Sequence, residues 1–324
     1  MTHAIRFHQT GGPEVLKWEP VDVGDPGPGQ VRLHHRAVGL NFIDVYHRTG
    51  LYPVQLPAIP GLEAAGVVEA VGPGVTDFKV GDRVAYASGP LGAYAEARLM
   101  PAERLVALPG VISDGQAAAM MLQGLTAQYL LRRTYPVQRG DTLLVHAAAG
   151  GVGLILCQWA KHLGATVIGT VGTEQKAALA RAHGCDHTIL YTQEDFQARV
   201  MDITNGRKVQ VVYDSVGRDT FDRSLDCLAP LGTMVLFGQS SGTVPPLDLN
   251  VLSAKGSLFV TRPTLATYTA RRTDLLAGAA ELFEVVEQGI VKITINQRYP
   301  LREAVRAHRD LEARRTTGST IFTV

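Results

Sequence analysis

Apolar and polar positions change their spacing near residue 140, where the chain begins to alternate short buried strands with helices. The first apolar run, Leu143 to Val145, leads into a turn of small residues and then a helix. The pattern predicts strands at 142–146, 166–170, 187–190, 209–214, 232–237 and 257–261, with helices from residues 151, 174, 194 and 219. Six strands that alternate with helices predict an α/β fold with a doubly wound parallel sheet.

The chain before about residue 123 follows a different pattern. Short β-type runs, such as 31–35, 66–71 and 82–86, are separated by turns rich in Gly and Pro, which predicts a compact, irregular β-barrel. After residue 263 the pattern predicts an amphipathic helix at 275–288, a strand near 293–295, a helix from 301 and a strand at 320–324. We expect this last strand to return to the first domain.

Composition argues against several classes of protein. The 324 residues are 46% hydrophobic and 19% charged with a net charge of +1, so no strong field draws the chain to nucleic acid or to an anionic membrane. The three cysteines form no C-x-x-C pair, which suits a reducing compartment. No signal peptide is visible, and the apolar run 143–160 contains polar and turn-forming positions. We expect a cytoplasmic protein that binds neither nucleic acid nor membranes.

The turn after the first strand of the predicted sheet carries the strongest chemical signal. Within Gly140-Asp-Thr-Leu-Leu-Val-His-Ala-Ala-Ala-Gly-Gly-Val-Gly153, the three positions of the fingerprint G-x-G-x-x-G hold Ala148, Gly150 and Gly153. Small residues there let backbone N–H groups approach a pyrophosphate at a helix N-terminus, where the helix dipole favours negative charge. The spacing predicts a dinucleotide site, and a Gly/Ala-rich corner without a ligand is the alternative.

The end of the second strand indicates which dinucleotide is bound. Proteins that select NAD usually place Asp or Glu at this tip to bind the ribose 2′-hydroxyl. Here the strand runs into Gly172-Thr-Glu-Gln-Lys176, with no acid at the tip. A neutral tip followed by Lys176 suits the 2′-phosphate of NADPH, although a solvated helix lysine is the alternative. Loops 211–217 and 236–242, which follow later strands, are further candidates on the cofactor side.

The titratable side chains of the first domain do not predict a metal site. His34, His35 and His47 lie there with Asp44 and Glu63, but no spacing among them matches a zinc motif, and the domain has no cysteine. His34 and His35 are adjacent in a predicted strand and therefore point to opposite faces. We predict that the protein holds no metal.

These motifs together resemble those of a known family. Gly140-Asp141, Leu144, Ala148 to Gly151, Gly153, Gln158 and Lys161 are similar to the signature of zeta-crystallin-type quinone oxidoreductases, in the medium-chain dehydrogenase/reductase superfamily. The resemblance spans essentially the whole chain, is nearest to the bacterial NADPH:quinone reductase branch, and includes segments 7–16, 41–46, 50–53, 63–66, 91–94, 168–176, 213–217 and 260–263. It implies a homodimer whose subunit has a GroES-like catalytic domain (1–123), a Rossmann NADPH-binding domain (124–262) and a C-terminal return to the catalytic domain (263–324).

The resemblance also implies the absence of zinc and a set of site residues. Zinc-dependent relatives carry a Gly-His-Glu triplet where this chain has Gly61-Leu62-Glu63. The candidate catalytic residues are Asn41, Tyr46 and Tyr52. The candidate cofactor contacts are Phe42, Ile43, Tyr129, Gly150, Gly151, Val152, Gly153, Gly172, Thr173, Lys176, Tyr191, Ser215, Gly217, Gly238, Ser240, Thr261 and Arg314, with Arg315 an alternative to Arg314.

The function implied is transfer of hydride or electrons from NADPH to a small quinone. Asn41 would donate a hydrogen bond to a quinone oxygen, and Tyr46 and Tyr52 would offer flat apolar faces, unless they only pack in the core. The nearest alternative is a zinc-free enoyl-thioester or enone reductase, for which Arg48, Arg98 and Arg132 would form a basic patch beside the substrate slot. An NADPH-binding structural or RNA-associated protein is a further alternative, which the low net charge disfavours.

Overall fold

The computed structural model describes residues 2–324 of the chain. Their strands are β1 (Thr2–Arg6), β2 (Lys17–Val21), β3 (Gln30–Leu40), β4 (Ala64–Val71), β5 (Arg83–Tyr86), β6 (Ala97–Pro101), β7 (Val106–Ala107), β8 (Thr142–Val145), β9 (Thr166–Val171), β10 (His187–Leu190), β11 (Val209–Asp214), β12 (Leu228–Leu236), β13 (Phe259–Thr261), β14 (Ile295–Pro300) and β15 (Ser319–Thr323).

The helices connect these strands. They are α1 (Phe42–Thr49), α2 (Asp114–Ala118), α3 (Met121–Tyr129), α4 (Gly151–His162), α5 (Glu174–Ala182), α6 (Phe196–Thr204), α7 (Phe221–Cys227), α8 (Asn250–Ala254), α9 (Leu265–Tyr268), α10 (Arg272–Glu287) and α11 (Ala304–Glu312). Short 3₁₀ turns occupy Pro13–Val15, Ala102–Arg104 and Leu301–Glu303, and a π-helical turn, Leu130–Thr134, follows α3. Within residues 2–324, no helix combines the length and the apolar character that crossing a membrane requires.

The chain divides into two compact units. The first contains the chain through Leu125 together with Thr269–Glu287 and Ile293–Val324. The second contains Thr126–Tyr268 and Gln288–Lys292.

The second unit is built on a six-stranded parallel sheet. Its strand order is β10-β9-β8-β11-β12-β13, so the chain starts in the middle of the sheet, winds outward to one edge and then to the other. This confirms the predicted doubly wound sheet, because the order reverses between β8 and β11. The core consists of apolar side chains from the strands and from the helices that cover them, including Leu144, Ile168, Val212, Phe196 and Leu225.

Several predicted boundaries in this unit are wrong by a few residues. Helix α6 begins at Phe196 rather than at 194, because the Asp195 side chain caps it by accepting the N–H groups of Gln197 and Ala198. Helix α7 begins at Phe221 rather than at 219, after Gly217 turns the chain with a φ of 91°. Strand β12 starts at 228 rather than 232, and β13 starts at 259 rather than 257.

The first unit is organised around a seven-stranded sheet. Its path is β14-β15-β3-β4-β5-β7, and β6 pairs with β3. The last strand, β15, is antiparallel to β3 over Thr320–Thr323, so the prediction that the C-terminal strand returns to the first domain is confirmed. Strand β14 covers Ile295–Pro300, later than the predicted 293–295. Adjacent His34 and His35 of β3 face opposite sides, as expected: His35 is buried, whereas the His34 side chain is 39% exposed.

Candidate functional site

The loop between β8 and α4 presents unpaired backbone donors at a helix N-terminus. Gly150 precedes the helix without a side-chain cap, and the first intrahelical bond runs from Leu154 N to the Gly150 carbonyl (2.9 Å). The N–H groups of Gly151, Val152 and Gly153 therefore have no partner within the helix. Such a turn binds anions through its N–H groups and through the helix dipole.

Backbone packing in this loop explains why it consists of small residues. A Cβ on Gly153 would overlap the Ala147 carbonyl oxygen and lie 2.7 Å from that of Ala148. The left-handed position of the turn belongs to Ala147, with a φ of 55°. Ala148, which replaces the first glycine of the fingerprint, is fully buried. Alanine in place of the first glycine of G-x-G-x-x-G thus leaves the approach to the helix N-terminus free of large side chains.

The loop after β9 brings four more predicted cofactor residues together. Thr173 caps α5, since its Oγ1 accepts the N–H of Lys176 at 3.3 Å. A Cβ on Gly172 would lie 2.9 Å from the Tyr191 hydroxyl oxygen, which places Tyr191 against this loop. The carboxylate of Glu174, which is 72% exposed, pairs loosely with Arg181 at 3.9 Å, within its own helix. The acid nearest the strand tip is thus paired with a cation.

Asp214 organises the two loops that follow β11 and β12, a role that the sequence analysis missed. Its carboxylate accepts the N–H groups of Val216 (2.6 Å) and Gly217 (3.1 Å), and its carbonyl accepts that of Gly238 (3.3 Å). The N–H of Ser240 binds the Ser215 carbonyl at 3.1 Å. The predicted residues Ser215, Gly217, Gly238 and Ser240 thus lie together at the carboxyl ends of neighbouring strands. The signal for Asp214 was its place at the end of a predicted strand.

The remaining predicted cofactor residues lie on other elements of the two units. Thr261 ends β13, the edge strand beside β12. Tyr129 stacks on Tyr268 of the same unit, with ring centroids 4.4 Å apart, and its burial raises the pKa of the phenol. Arg314 belongs to the first unit and follows α11 with a φ of 58°. Arg315, the alternative, forms an ion pair with Asp310 at 3.3 Å.

In the first unit, Asn41 is held at the junction of β3 and α1. It is 6% exposed, and it precedes the helix as its N-cap while its backbone N–H donates to the Asp44 carboxylate at 2.9 Å. The side-chain Nδ2 donates to Glu63 Oε2 at 2.6 Å, and Oδ1 accepts from Gln123 Nε2 at 3.1 Å. This arrangement uses one of the two Nδ2 hydrogens, so the amide retains a donor.

An aromatic cluster surrounds the start of α1. The ring of Tyr46 lies 5.4 Å from that of Phe42 and 5.1 Å from that of Tyr52, and His47 approaches Tyr52 at 5.8 Å. Tyr46 is buried, whereas Phe42, Ile43 and Tyr52 are half-buried. The structure therefore brings the predicted catalytic residues Tyr46 and Tyr52 together with Phe42, a predicted cofactor contact, and Tyr46 also packs in the core.

Glu63 occupies a fully buried position that the sequence analysis considered only for metal binding. Its Oε1 accepts the N–H of Leu122 at 2.7 Å, at the N-terminal end of α3. Burial raises the pKa of Glu63 to about 8, against the lowering effect of the hydrogen bonds from Asn41 and Leu122. A Cβ on Gly39 would overlap the carboxylate, so glycine is required there.

A second buried network runs from Asp44 to the surface and was also missed. Tyr94 donates to Asp44 at 2.9 Å and lies 3.1 Å from His308 Nε2, and the other ring nitrogen of His308 accepts from Arg48 at 3.0 Å. Burial raises the pKa of Asp44 to about 7 and lowers that of His308 to about 3. These partners are up to 260 residues apart in sequence, which is why no local pattern revealed them.

Two of the three arginines predicted for a basic substrate patch are buried instead. Arg48 is 1% exposed and makes two 2.8 Å bonds to Glu312. Arg98 is 8% exposed and donates to the carbonyls of Pro90 and Leu91, each at 3.0 Å. The prediction is wrong for both, because their charges are used inside the fold. Arg132, in the second unit, is exposed.

Known proteins resemble this chain over its full length. Two family models match, "Alcohol dehydrogenase GroES-like domain" at residues 27–110 and "Zinc-binding dehydrogenase" at 151–275. A quinone oxidoreductase of Pseudomonas aeruginosa is 57% identical over 323 residues, and a 2-haloacrylate reductase of a Burkholderia species is 49% identical over 329 residues, each alignment covering 99% of both chains. The solved quinone oxidoreductase of Escherichia coli, complexed with NADPH, matches with a TM-score of 0.98 at 50% identity, covering 100% of both chains.

The residues of this chain do not fit the zinc ion that one of these descriptions mentions. Leu62 stands where the zinc-dependent pattern has histidine, and both oxygens of the adjacent Glu63 accept hydrogen bonds from Asn41 and Leu122. Across residues 2–324, no group of three His, Cys, Asp or Glu side chains is arranged to hold a metal ion.

Proposed function

The chain belongs to the quinone oxidoreductase family of the medium-chain dehydrogenase/reductase superfamily, and from that membership we propose that it reduces small quinones with NADPH. The observation that carries this proposal is the full-length similarity to quinone oxidoreductases, one of them solved with NADPH. The family resemblance seen in the sequence is thereby confirmed.

We propose that NADPH binds along the carboxyl edge of the six-stranded sheet. The N–H groups of Gly151 to Gly153, at the start of α4, suit the pyrophosphate. The neutral Gly172–Thr173 turn, with Lys176 in the following helical turn, suits the 2′-phosphate. The other residues assigned to the cofactor are Phe42, Ile43, Tyr129, Gly150, Tyr191, Ser215, Gly217, Gly238, Ser240, Thr261 and Arg314, and this assignment is part of the proposal. NADPH, when bound, supplies the reducing electrons.

On the substrate side, we propose that Asn41 donates its second Nδ2 hydrogen to a quinone oxygen. A positioned donor stabilises the charge that develops there during reduction. Tyr46 and Tyr52 supply aromatic faces for the quinone ring. In this proposal, residues 1–123 and 263–324 form the catalytic domain and residues 124–262 the NADPH-binding domain.

The proposal extends to assembly and location. Strand β13 is an edge strand paired, within the described chain, only with β12, and it exposes 60% of Phe259, so we propose that two copies meet there as a homodimer. All three cysteines are free and buried, which suits a reducing cytoplasm. Analytical ultracentrifugation distinguishes this dimer from a 34.8 kDa monomer.

The test is oxidation of NADPH and of NADH, followed by absorbance with 9,10-phenanthrenequinone as acceptor. We expect turnover with NADPH and weak turnover with NADH, and we expect K176A to lower the affinity for NADPH about tenfold while leaving that for NADH unchanged. Crotonyl-CoA and 2-chloroacrylate are assayed separately as alternative acceptors. Turnover of either one without turnover of the quinone would overturn the proposal.

A further inference from the structure

The side-chain amide of Asn41 has two ends of similar shape and opposite hydrogen-bonding character. A half-turn about the bond to the amide exchanges Nδ2, a donor, with Oδ1, an acceptor, in nearly the same space. Because Asn41 is buried, its partners rather than solvent decide which atom lies on which side. The orientation matters for the proposed function, in which Asn41 acts as a donor to the quinone.

A chain of four side chains sets this orientation. We call Glu63, Asn41, Gln123 and Ser319 the Asn41 chain. Ser319 Oγ lies 2.6 Å from Gln123 Oε1, Gln123 Nε2 donates to Asn41 Oδ1 at 3.1 Å, and Asn41 Nδ2 donates to Glu63 Oε2 at 2.6 Å. In this direction every hydrogen points toward Glu63, which accepts as a carboxylate.

The direction of hydrogen bonding is fixed at the backbone donor beside Glu63, whereas the hydroxyl at the Ser319 end of the Asn41 chain can reverse its direction. At Glu63, the backbone N–H of Leu122 donates to Oε1 at 2.7 Å, and a backbone donor cannot change its role. At Ser319, the single hydroxyl hydrogen has two acceptors within reach, Gln123 Oε1 at 2.6 Å and the Ala119 carbonyl at 2.8 Å. The hydroxyl can therefore donate into the chain or away from it.

A proton on Glu63 satisfies the reverse direction at every link between these four side chains. The backbone N–H of Asp44, which faces the Asn41 side chain in the capping box, donates to the Asn41 main-chain carbonyl at 3.0 Å and so keeps its acceptor when the amide turns. Oε1 continues to accept from Leu122, and the protonated Oε2 donates to Asn41 Oδ1 once the amide has turned. Asn41 Nδ2 then donates to Gln123 Oε1, Gln123 Nε2 donates to Ser319 Oγ, and Ser319 donates to the Ala119 carbonyl. We propose that Glu63 is a positioning residue for quinone reduction, because its charge sets the direction of the Asn41 chain and so the atom that Asn41 turns toward the quinone.

The surroundings of Glu63 make both forms accessible. Burial raises its pKa to about 8, so the proton exchanges at mild pH. The other titratable groups that face it are Asp44, Tyr86 and Tyr94. Burial raises the pKa of both tyrosines above their ordinary value and that of Asp44 to about 7. Asp44 is therefore the neighbour whose titration must be separated from that of Glu63.

This inference rests on the proposed function for its consequence. With Glu63 charged, Asn41 keeps its amide nitrogen on the side assigned to the quinone oxygen. With Glu63 protonated, the amide oxygen takes that place and repels the quinone oxygen. Turnover should accordingly fall as the pH drops through the pKa of Glu63.

The first experiment measures kcat/KM for 9,10-phenanthrenequinone at saturating NADPH, from about pH 6 to about pH 9.5. We expect the wild-type value to fall on the acid side with a single ionisation, by roughly 100-fold, the usual cost of losing one such donor. E63Q isolates the cause. The oxygen of the introduced amide must face the N–H of Leu122, which can only donate. The NH₂ group of that amide therefore faces Asn41 and holds the Asn41 chain in the reverse direction. We expect E63Q to be independent of pH and to remain at the acid value of the wild type.

Two variants and one direct measurement complete the test. E69Q changes an exposed carboxylate on β4, the strand that begins directly after Glu63, and should follow the wild-type profile. D44N should retain the ionisation. In the protein with ¹⁵N-labelled asparagine, the Asn41 side-chain signals should titrate in the wild type and not in E63Q, while the affinity for NADPH and the melting temperature report that E63Q is folded.

The outcomes are distinct. The inference would be overturned if the ionisation persisted in E63Q, or if the E63Q profile were flat at the alkaline value of the wild type. It would also be overturned if D44N abolished the ionisation, or if the Asn41 signals of the wild type did not titrate. No quinone turnover by the wild type at any pH, with the Asn41 signals still titrating, would overturn the proposed function and leave the reversal of the amide supported.

Discussion

At the carboxyl edge of the six-stranded sheet, the groups available to an anion are backbone N–H groups in the first turn of one helix, Gly151 to Gly153. Around Asn41, by contrast, the hydrogen bonds join side chains separated by 22, 82 and 196 residues. The first region depends on residues that are small. The second depends on residues that carry the right polar atoms and that four separate segments of the chain bring together.

The two regions should therefore be sensitive to opposite kinds of substitution. A backbone site fails when a side chain is added, because the close approach of main-chain atoms is lost. A buried polar site fails when a side chain is removed, because its former partners remain desolvated without a hydrogen bond. Substitutions of both kinds test whether the two regions behave in these opposite ways.

The largest effect should come from R48M, in the buried network behind Asp44. The substitution leaves His308 and Glu312 without the charge that they contact, so we expect the free energy of unfolding in urea to fall by about 3 kcal/mol. R315M is the matched control, because that arginine is 75% exposed and pairs with Asp310; its loss should cost at most about 1 kcal/mol. Equal losses for the two variants would contradict a structural role for the buried Arg48.

A somewhat smaller effect, on catalysis rather than folding, is expected from N41A. It removes the donor proposed for the quinone oxygen, so kcat should fall by about 100-fold, or about 2.7 kcal/mol. The dissociation constant of NADPH, measured by fluorescence titration, should stay within about twofold, because the backbone groups at α4 are untouched. The exposed Asn250 provides the control, N250A, with unchanged kcat. Unchanged turnover by N41A would remove Asn41 from the reaction.

The smallest effect should come from G153A, which adds one methyl group to the other region. The added Cβ meets backbone carbonyls of the loop, which must shift, so we expect the affinity for NADPH to fall about tenfold. G110A is the control, since nothing lies within 4 Å of a Cβ there. Titration calorimetry measures both variants. An unchanged affinity in G153A would show that this loop does not bind the cofactor as proposed.

The region built from one short segment could be predicted from the sequence, whereas the hydrogen bonds around Asn41 could not. The doubly wound sheet could be predicted because the spacing of apolar residues within each segment indicates a strand or a helix. The order of the strands then follows from the connections between them. Helix starts were wrong where a cap decided them, as at Asp195. Glu63 and Asp44 were noticed as possible ligands, but their bonds to Leu122 and Tyr94 had no local signal.

The sequence by itself determined the fold class, the small-residue turn at 147–153 and the neutral turn at 172–173, since these are properties of short segments and of backbone sterics. Only the tertiary structure decided that Arg48 and Arg98 are buried, that Asp214 ties two loops together and that Glu63 faces Asn41. Those facts depend on side chains far apart along the chain, whose meeting is set by packing. Burial in the low-dielectric interior then raises the pKa of Glu63.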